Sequence, residues 1–196
     1  MIKPPRNSYG YRELLVYKKA EELQLSLAEF VSRFPLSKTL SSLSDQMERS
    51  ARSTKQNIIE GWKRNSTNEY YQFLGFAIAS NAELEADCTD ICIGVYDSKG
   101  LKRVDTRGLK GAKGGKWGNL ESIPFYPLPP FLPLPLQLKL RAKELNYLLE
   151  KLQQSLADKM KKEKTLSAAD IMRLQEKERE TRRKEHAAYL KEKGWD

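Results

Sequence analysis

The sequence is short of the residues from which active sites are usually built. Its 196 residues include one histidine, His186, and two cysteines, Cys88 and Cys92. His186 sits among Arg182, Arg183, Lys184 and Glu185, a charged run that offers neither a pocket nor a nucleophile for an imidazole to activate. A tetrahedral metal site needs more ligands than Cys88, Cys92 and one distant histidine supply, so neither a metal nor another cofactor is expected. Spaced four apart on a predicted helix, the two thiols serve packing more readily than a disulfide, and they are expected to be reduced. No phosphate-cradling loop, dinucleotide turn, nucleophile elbow or His-Glu-x-x-His motif occurs. Glu83, Glu85 and Asp87 fall at alternate positions of a helix and point to different faces. They therefore make a solvated or interhelical surface, not a catalytic acid and base. A non-enzymatic protein is predicted.

Long apolar runs are missing as well. No stretch approaches the ~18 residues that would read as a membrane span. Behind Met1-Ile2-Lys3-Pro4-Pro5-Arg6 there is no apolar segment of the signal-peptide kind, so the expected location is the cytoplasm, with no membrane partner.

What the chain has is positive charge and helical periodicity. Lys and Arg number 35 against 26 Asp and Glu, a formal charge of +9. That excess favours anionic partners through long-range attraction and counterion release, with nucleic acid foremost. Solvated helix faces carrying mixed charges would give a similar composition.

Val16, Ala20, Leu23, Leu27, Phe30 and Phe34 recur in steps of four and three, which predicts a first helix over residues 11–34, closed by Pro35. A second helix is expected from Leu40, through Leu43, Met47, Ala51, Thr54, Ile58 and Trp62. Gly61 near its end is suited to a left-handed conformation. Ser66-Thr67-Asn68-Glu69 then has the pattern of a capping box opening a third helix. That helix carries the most regular seam: Tyr70, Leu74, Ala77, Asn81, Leu84, Cys88, Ile91 and Val95. Its one polar member, Asn81, either fixes register or lies at the seam's margin in solvent.

After Asp97 the pattern fails. A Lys- and Gly-rich stretch over residues 99–118 precedes a proline-rich one over residues 124–135, so residues 97–137 are predicted to be an insertion. Its first half is expected to be flexible and cationic, and its second half semi-rigid polyproline II. Leu138, Ala142, Leu145, Leu149, Leu152 and Leu156 restore the seam in a fourth helix. Ser167 can cap a further helix that is mostly charged to about Lys193. The predicted fold is all-α: an antiparallel up-down-up-down four-helix bundle over residues 1–164, followed by a charged helical tail over residues 165–196.

Basic residues of the second helix and its exit are the candidate phosphate ligands: Arg49, Arg52, Lys55, Lys63 and Arg64. Arg52 and Lys55 share a helix face and Arg49 lies beside them, a row able to track phosphates. Arg49 could equally pair with an acid within or between bundles. The insertion adds Lys99, Lys102, Arg103, Arg107, Lys110, Lys113 and Lys116, suited to nonspecific backbone contact.

Helices 2 and 3 carry Gln46-Met47-Glu48-Arg49-Ser50-Ala51-Arg52-Ser53, then Asn57-Ile58-Ile59-Glu60-Gly61, then Ser66-Thr67-Asn68-Glu69-Tyr70-Tyr71-Gln72-Phe73-Leu74, and finally Ser80-Asn81-Ala82-Glu83-Leu84-Glu85. With Leu14-Leu15-Val16-Tyr17-Lys18-Lys19-Ala20 and the Phe34-Pro35 junction, this pattern resembles the four-helix bundle family encoded in 23S ribosomal RNA intervening sequences. The resemblance covers residues of about 11–96 well and the fourth helix loosely. It implies an up-down-up-down bundle and a homo-oligomer, a homopentamer on the family pattern. It also implies kinship with the accessory variability determinants of diversity-generating retroelements, which bind nucleic acid, RNA included, and a reverse transcriptase through a basic surface. Asn57, Glu60 and Gly61 match signature positions and read as structural. The chain departs from the family at Ser53-Thr54-Lys55, where a Ser-Ile-Pro run is common, so a straighter second helix is expected. Residues 97–137 and the tail have no counterpart in the family.

Overall fold

The structure, a computed structural model, describes residues 9–104, 132–165 and 168–193. Among these residues it contains helices and no strand. The helices are α1 (Leu15–Val31), α2 (Lys38–Lys63), α3 (Thr67–Ile93), α4 (Leu134–Thr165) and α5 (Ala168–Lys193), with short 3₁₀ turns at Gly10–Glu13 and Asp97–Lys99.

Side-chain pairs between helices fix the topology. Along α2 and α3, Gln46 meets Asp87, Ser50 meets Glu83, and Ser53 meets Ser80, so the two run in opposite directions. Between α3 and α4, Asn81 meets Asn146 while Gln153 meets the Tyr71 carbonyl. Lys19 and Ser26 of α1 meet Glu144 and Arg141 of α4. Lys55 of α2 reaches Glu21 of α1. Each of the four helices thus lies antiparallel to two neighbours, which is the expected up-down-up-down bundle.

The four predicted seams converge on one core. Leu23 and Leu27 of α1, Met47 and Ile58 of α2, Leu74 and Leu84 of α3, and Leu138, Leu145 and Leu149 of α4 are essentially inaccessible. Each such side chain contributes about 2 kcal/mol by leaving water. Cys88 belongs to this core, in keeping with a packing role. Asn81 is buried at the α3–α4 contact, where its amide donates to the Ala142 carbonyl at 2.7 Å and to Asn146 Oδ1 at 2.9 Å. Asn146 in turn donates to Glu85. Asn81 is therefore a register-fixing residue and not a marginal one, because a slip of α4 would strand its amide away from water.

Several boundaries differ from the sequence expectation, each for a local reason. α1 starts at Leu15 and not near residue 11, because Leu14 is extended and the preceding residues form a separate 3₁₀ turn. That turn buries Tyr11 edge-on to Tyr17, and it brings Gly10 so close to Trp62 that a Cβ there would sit 2.7 Å from the indole. α1 ends at Val31, yet Phe34 still packs edge-on to Phe30 from the turn beyond. α2 begins at Lys38, capped by the Ser37 hydroxyl, which accepts from the Leu40 amide at 3.2 Å.

The expected capping box at α3 is present. The Glu69 amide donates to Ser66 Oγ, and the Ser66 amide donates to the Glu69 carboxylate. Val95 does not continue the seam. Gly94 ends α3 in the left-handed region at φ 96°, where its amide and that of Val95 both close on the Asp90 carbonyl, leaving Val95 exposed.

Gly61 is the clearest correction. It lies inside α2 with an ordinary helical φ, and the left-handed glycines are Gly94 and Gly100. A Cβ on Gly61 would stand 2.8 Å from both Phe73 Cβ and the Tyr70 ring. Here glycine serves close helix approach, not chain reversal.

The proline-rich stretch also ends differently. Leu134 and Pro135 form the first turn of α4, where a missing amide is tolerated, and Leu132 and Leu136 are buried. The extended conformation expected over residues 124–131 lies outside the described residues, as does the Ser167 cap. α5 forms as expected. Its described side chains are almost all solvent-facing, including Met172 and His186, and it carries the ion pairs Arg173–Asp170 and Arg179–Glu176. No described helix is long and apolar enough to cross a membrane.

Candidate nucleic-acid interface

The five sequence-predicted cations do not form one row. Arg49 and Arg52 are exposed on the α1–α2 side, where they line a shallow depression of about 490 Å³ with Gln24, Leu27, Ala28, Asp45 and Glu48. Arg49 Nε donates to the Asp45 carbonyl one turn back, which holds its guanidinium along the helix. Lys55, two turns from Arg49, leans instead toward Glu21 of α1 at 3.9 Å. Lys63 and Arg64 are at the far end of α2, roughly 20 Å from Arg49 at 1.5 Å per residue. The structure brings Arg49 and Arg52 together, draws Lys55 into an interhelical pair and places Lys63 with Arg64 elsewhere.

Acids temper this surface. Asp45 and Glu48 share the depression with the two arginines, so its local charge is near balance. Arg64 is paired with Glu60 at 2.5 Å and lies over the Phe73 ring, 4.5 Å from its centroid. Lys63 is exposed.

Sequence reading missed what the fold adds beside Lys63 and Arg64. Arg12 is exposed and stacks on the Tyr9 ring at 5.1 Å. The 3₁₀ turn bearing these residues touches Trp62 through Gly10. An antiparallel α1–α2 pair puts residues just before α1 next to residues at the end of α2. The predicted topology was therefore the available signal for this grouping.

The opposite, α2–α3 side carries acids that are hydrogen-bonded between helices. Ser50 donates to Glu83 at 3.2 Å, and the Gln46 amide nitrogen lies 3.1 and 3.2 Å from the two Asp87 oxygens. Burial pushes the Asp87 carboxyl up to about 6. The neighbouring charges of Asp90 and Glu83 add to this, and the Gln46 hydrogen bond works against it. Glu83 and Asp87 thus face α2 while Glu85 faces α4, an interhelical role for all three. Burial also raises the Cys88 and Cys92 thiols above their ordinary range, which suppresses the thiolate a nucleophile would need. Among the described residues no group of three or more metal-ligating side chains converges.

These features define an antiparallel helical bundle in which Asp87 is buried between helices and a subset of the cations, Arg49, Arg52 and Lys63, is exposed among surface acids. Residues 12–93, from the 3₁₀ turn to the end of α3, match the family model of the 23S rRNA-intervening sequence protein, as the motifs of helices 2 and 3 led us to expect. The match stops before α4 and α5. No curated protein and no solved structure is detectably similar to the chain.

Proposed function

We propose that the protein is a non-enzymatic, homo-oligomeric bundle that binds RNA through phosphate contacts. The observation that carries this reading is the outward placement of Arg49 and Arg52 on the α1–α2 face of a chain with a formal charge of +9. The match of residues 12–93 to a family tied to ribosomal RNA intervening sequences supports it. Phosphate contact by exposed guanidinium groups is sequence-independent and releases counterions. Affinity for RNA should therefore fall steeply between low and moderate salt. A purified protein that binds no RNA, or binds it equally at both salts, would remove this reading.

Self-association is supported by the outer face of α3. Phe76, Ala79, Ala82, Ala86 and Ile93 are exposed there, a run of small and apolar side chains that a second copy can cover. Five copies are the expected stoichiometry, and native mass spectrometry reads it directly. Phe76→Asp should shift the distribution toward monomer.

The exposed, charged α5 favours a second reading, an accessory scaffold that captures a reverse transcriptase and its template RNA. In that case, deleting residues 97–137 or the tail would abolish capture of the polymerase and leave RNA binding by the bundle in place.

A further inference from the structure

We infer that the end of the bundle formed by the Gly10–Glu13 turn, the C-terminus of α2 and the N-terminus of α3 is a stacking platform for unpaired RNA bases. This inference rests on the RNA-binding reading above and adds to it the class of RNA recognised: single-stranded segments, held by their bases.

Two arginine-on-ring stacks are built at this end. Arg12 covers Tyr9 at 5.1 Å, and Tyr9 is 59% exposed. Arg64 covers Phe73 at 4.5 Å. Among the described residues, every arginine stacked on a ring is here. Trp62 links the two stacks: its indole lies against Gly10, next in sequence to Tyr9, while its neighbour Gly61 abuts Phe73. Trp62 is itself half-buried and edge-on to Tyr70 at 6.2 Å. Two cationic planar groups are thus gathered at one end of the bundle, on either side of Trp62.

The distribution of charge separates bases from phosphates as the ligand. Arg64 already faces Glu60, which lessens its pull on a phosphate relative to the exposed Arg49 and Arg52. Its guanidinium, paired with Glu60 and set over the Phe73 ring, is 38% exposed, and a planar cation at the surface is a group on which bases stack. Bases stack on arginine planes and aromatic rings alike, whereas the edges of a duplex cannot present base faces to them. Exposed Lys63 stands next to this stack and supplies the contact to the backbone that runs past it. The division of labour is then spatial. Arg49 and Arg52, roughly 20 Å away, act on phosphates, and the end platform acts on bases.

The test compares three fluorescently labelled 12-nucleotide probes of equal length binding to the full chain: a single-stranded adenosine RNA, the same strand with abasic ribose throughout, and its duplex. Single-stranded RNA is expected to bind about tenfold tighter than the abasic strand, since each stacked base contributes on that scale. Arg12→Lys with Arg64→Lys keeps both charges and loses both planes. This double variant should lose about tenfold on the base-bearing strand and nothing on the abasic strand or the duplex. The platform is overturned if the abasic strand binds as tightly as the base-bearing one, or if the double variant weakens all three probes alike or none. Binding of the abasic strand and the duplex without a preference for bases would keep the RNA-binding reading and remove the platform. Absence of binding to every probe would remove both.

Discussion

The two sides of α2 are used differently. Its α3-facing side is closed by polar pairs at three successive levels, Gln46 with Asp87, Ser50 with Glu83 and Ser53 with Ser80, and by Gly61, which lets Tyr70 and Phe73 come within contact of the helix backbone. Its α1-facing side is open by comparison: one long ion pair, Lys55 with Glu21, crosses it, and a depression lined by Arg49 and Arg52 lies alongside. Cations in close interhelical packing would have to be desolvated and paired, at a cost of several kcal/mol each. On the open side they remain hydrated and available. The helix therefore devotes one face to specifying the bundle, and the other is the face we propose for an anion.

Gly61→Ala is the strongest challenge to this contrast. The added methyl meets the Phe73 Cβ, which cannot swing away, so a loss of about 3 kcal/mol in urea-denaturation stability is expected despite alanine's better helix propensity. A change within about 0.5 kcal/mol would mean that the α2–α3 side is no tighter than the other. Asn81→Ala should cost about 2 kcal/mol by the same measurement, because Asn146 Oδ1 loses its buried donor. The variant should also loosen α4, seen as faster amide exchange around Ala142.

Asp87 sharpens the comparison through pH. Its folded-state pKa of about 6 lies above the ordinary 3.8, so the fold favours the protonated carboxyl. Its contribution to stability is fully present below about pH 4 and is lost as pH rises through about 6. Asp87→Asn should therefore be more stable than the parent at pH 8, gain nothing at pH 4 and flatten the stability profile between them. An unchanged profile would show that Asp87 is solvated. The smallest effect on folding is expected on the open side. Arg49→Gln with Arg52→Gln should alter stability by less than about 0.5 kcal/mol while lowering RNA affinity. If this pair destabilised the bundle as much as Gly61→Ala, the two sides would not differ in kind.

Features decided within a few residues of the chain were legible before the fold was known. The leucine seam of α4, the Ser66–Glu69 capping box and the buried path from Tyr70 to Ile91 depend on helical spacing and local hydrogen bonds, and the sequence prints both. Gly61 misled because a glycine near a helix end has two uses, a left-handed turn or close approach. Only the neighbouring helix, through Tyr70 and Phe73, decides between them. Leu132 and Leu136 were hidden by the prolines around them, although a helix tolerates proline in its first turn. For the candidate interface, helical spacing assigned Arg49, Arg52 and Lys55 to one side of α2 and said nothing of what α1 would bring there. Glu21 drew Lys55 into a pair for that reason. Arg12 and Tyr9 became visible only once antiparallel packing set them beside Trp62.

The central claim is that outward cations on the α1–α2 face bind RNA by its phosphates, and the salt dependence of binding tests it most directly. With single-stranded RNA titrated by fluorescence anisotropy between about 50 and 200 mM salt, the logarithm of affinity should fall linearly with the logarithm of salt. Replacing Arg49 and Arg52 with glutamine should reduce the slope by about 1.4, which is about 0.7 for each phosphate that is no longer neutralised. A slope unchanged by the double substitution, or an affinity indifferent to salt, would contradict the account.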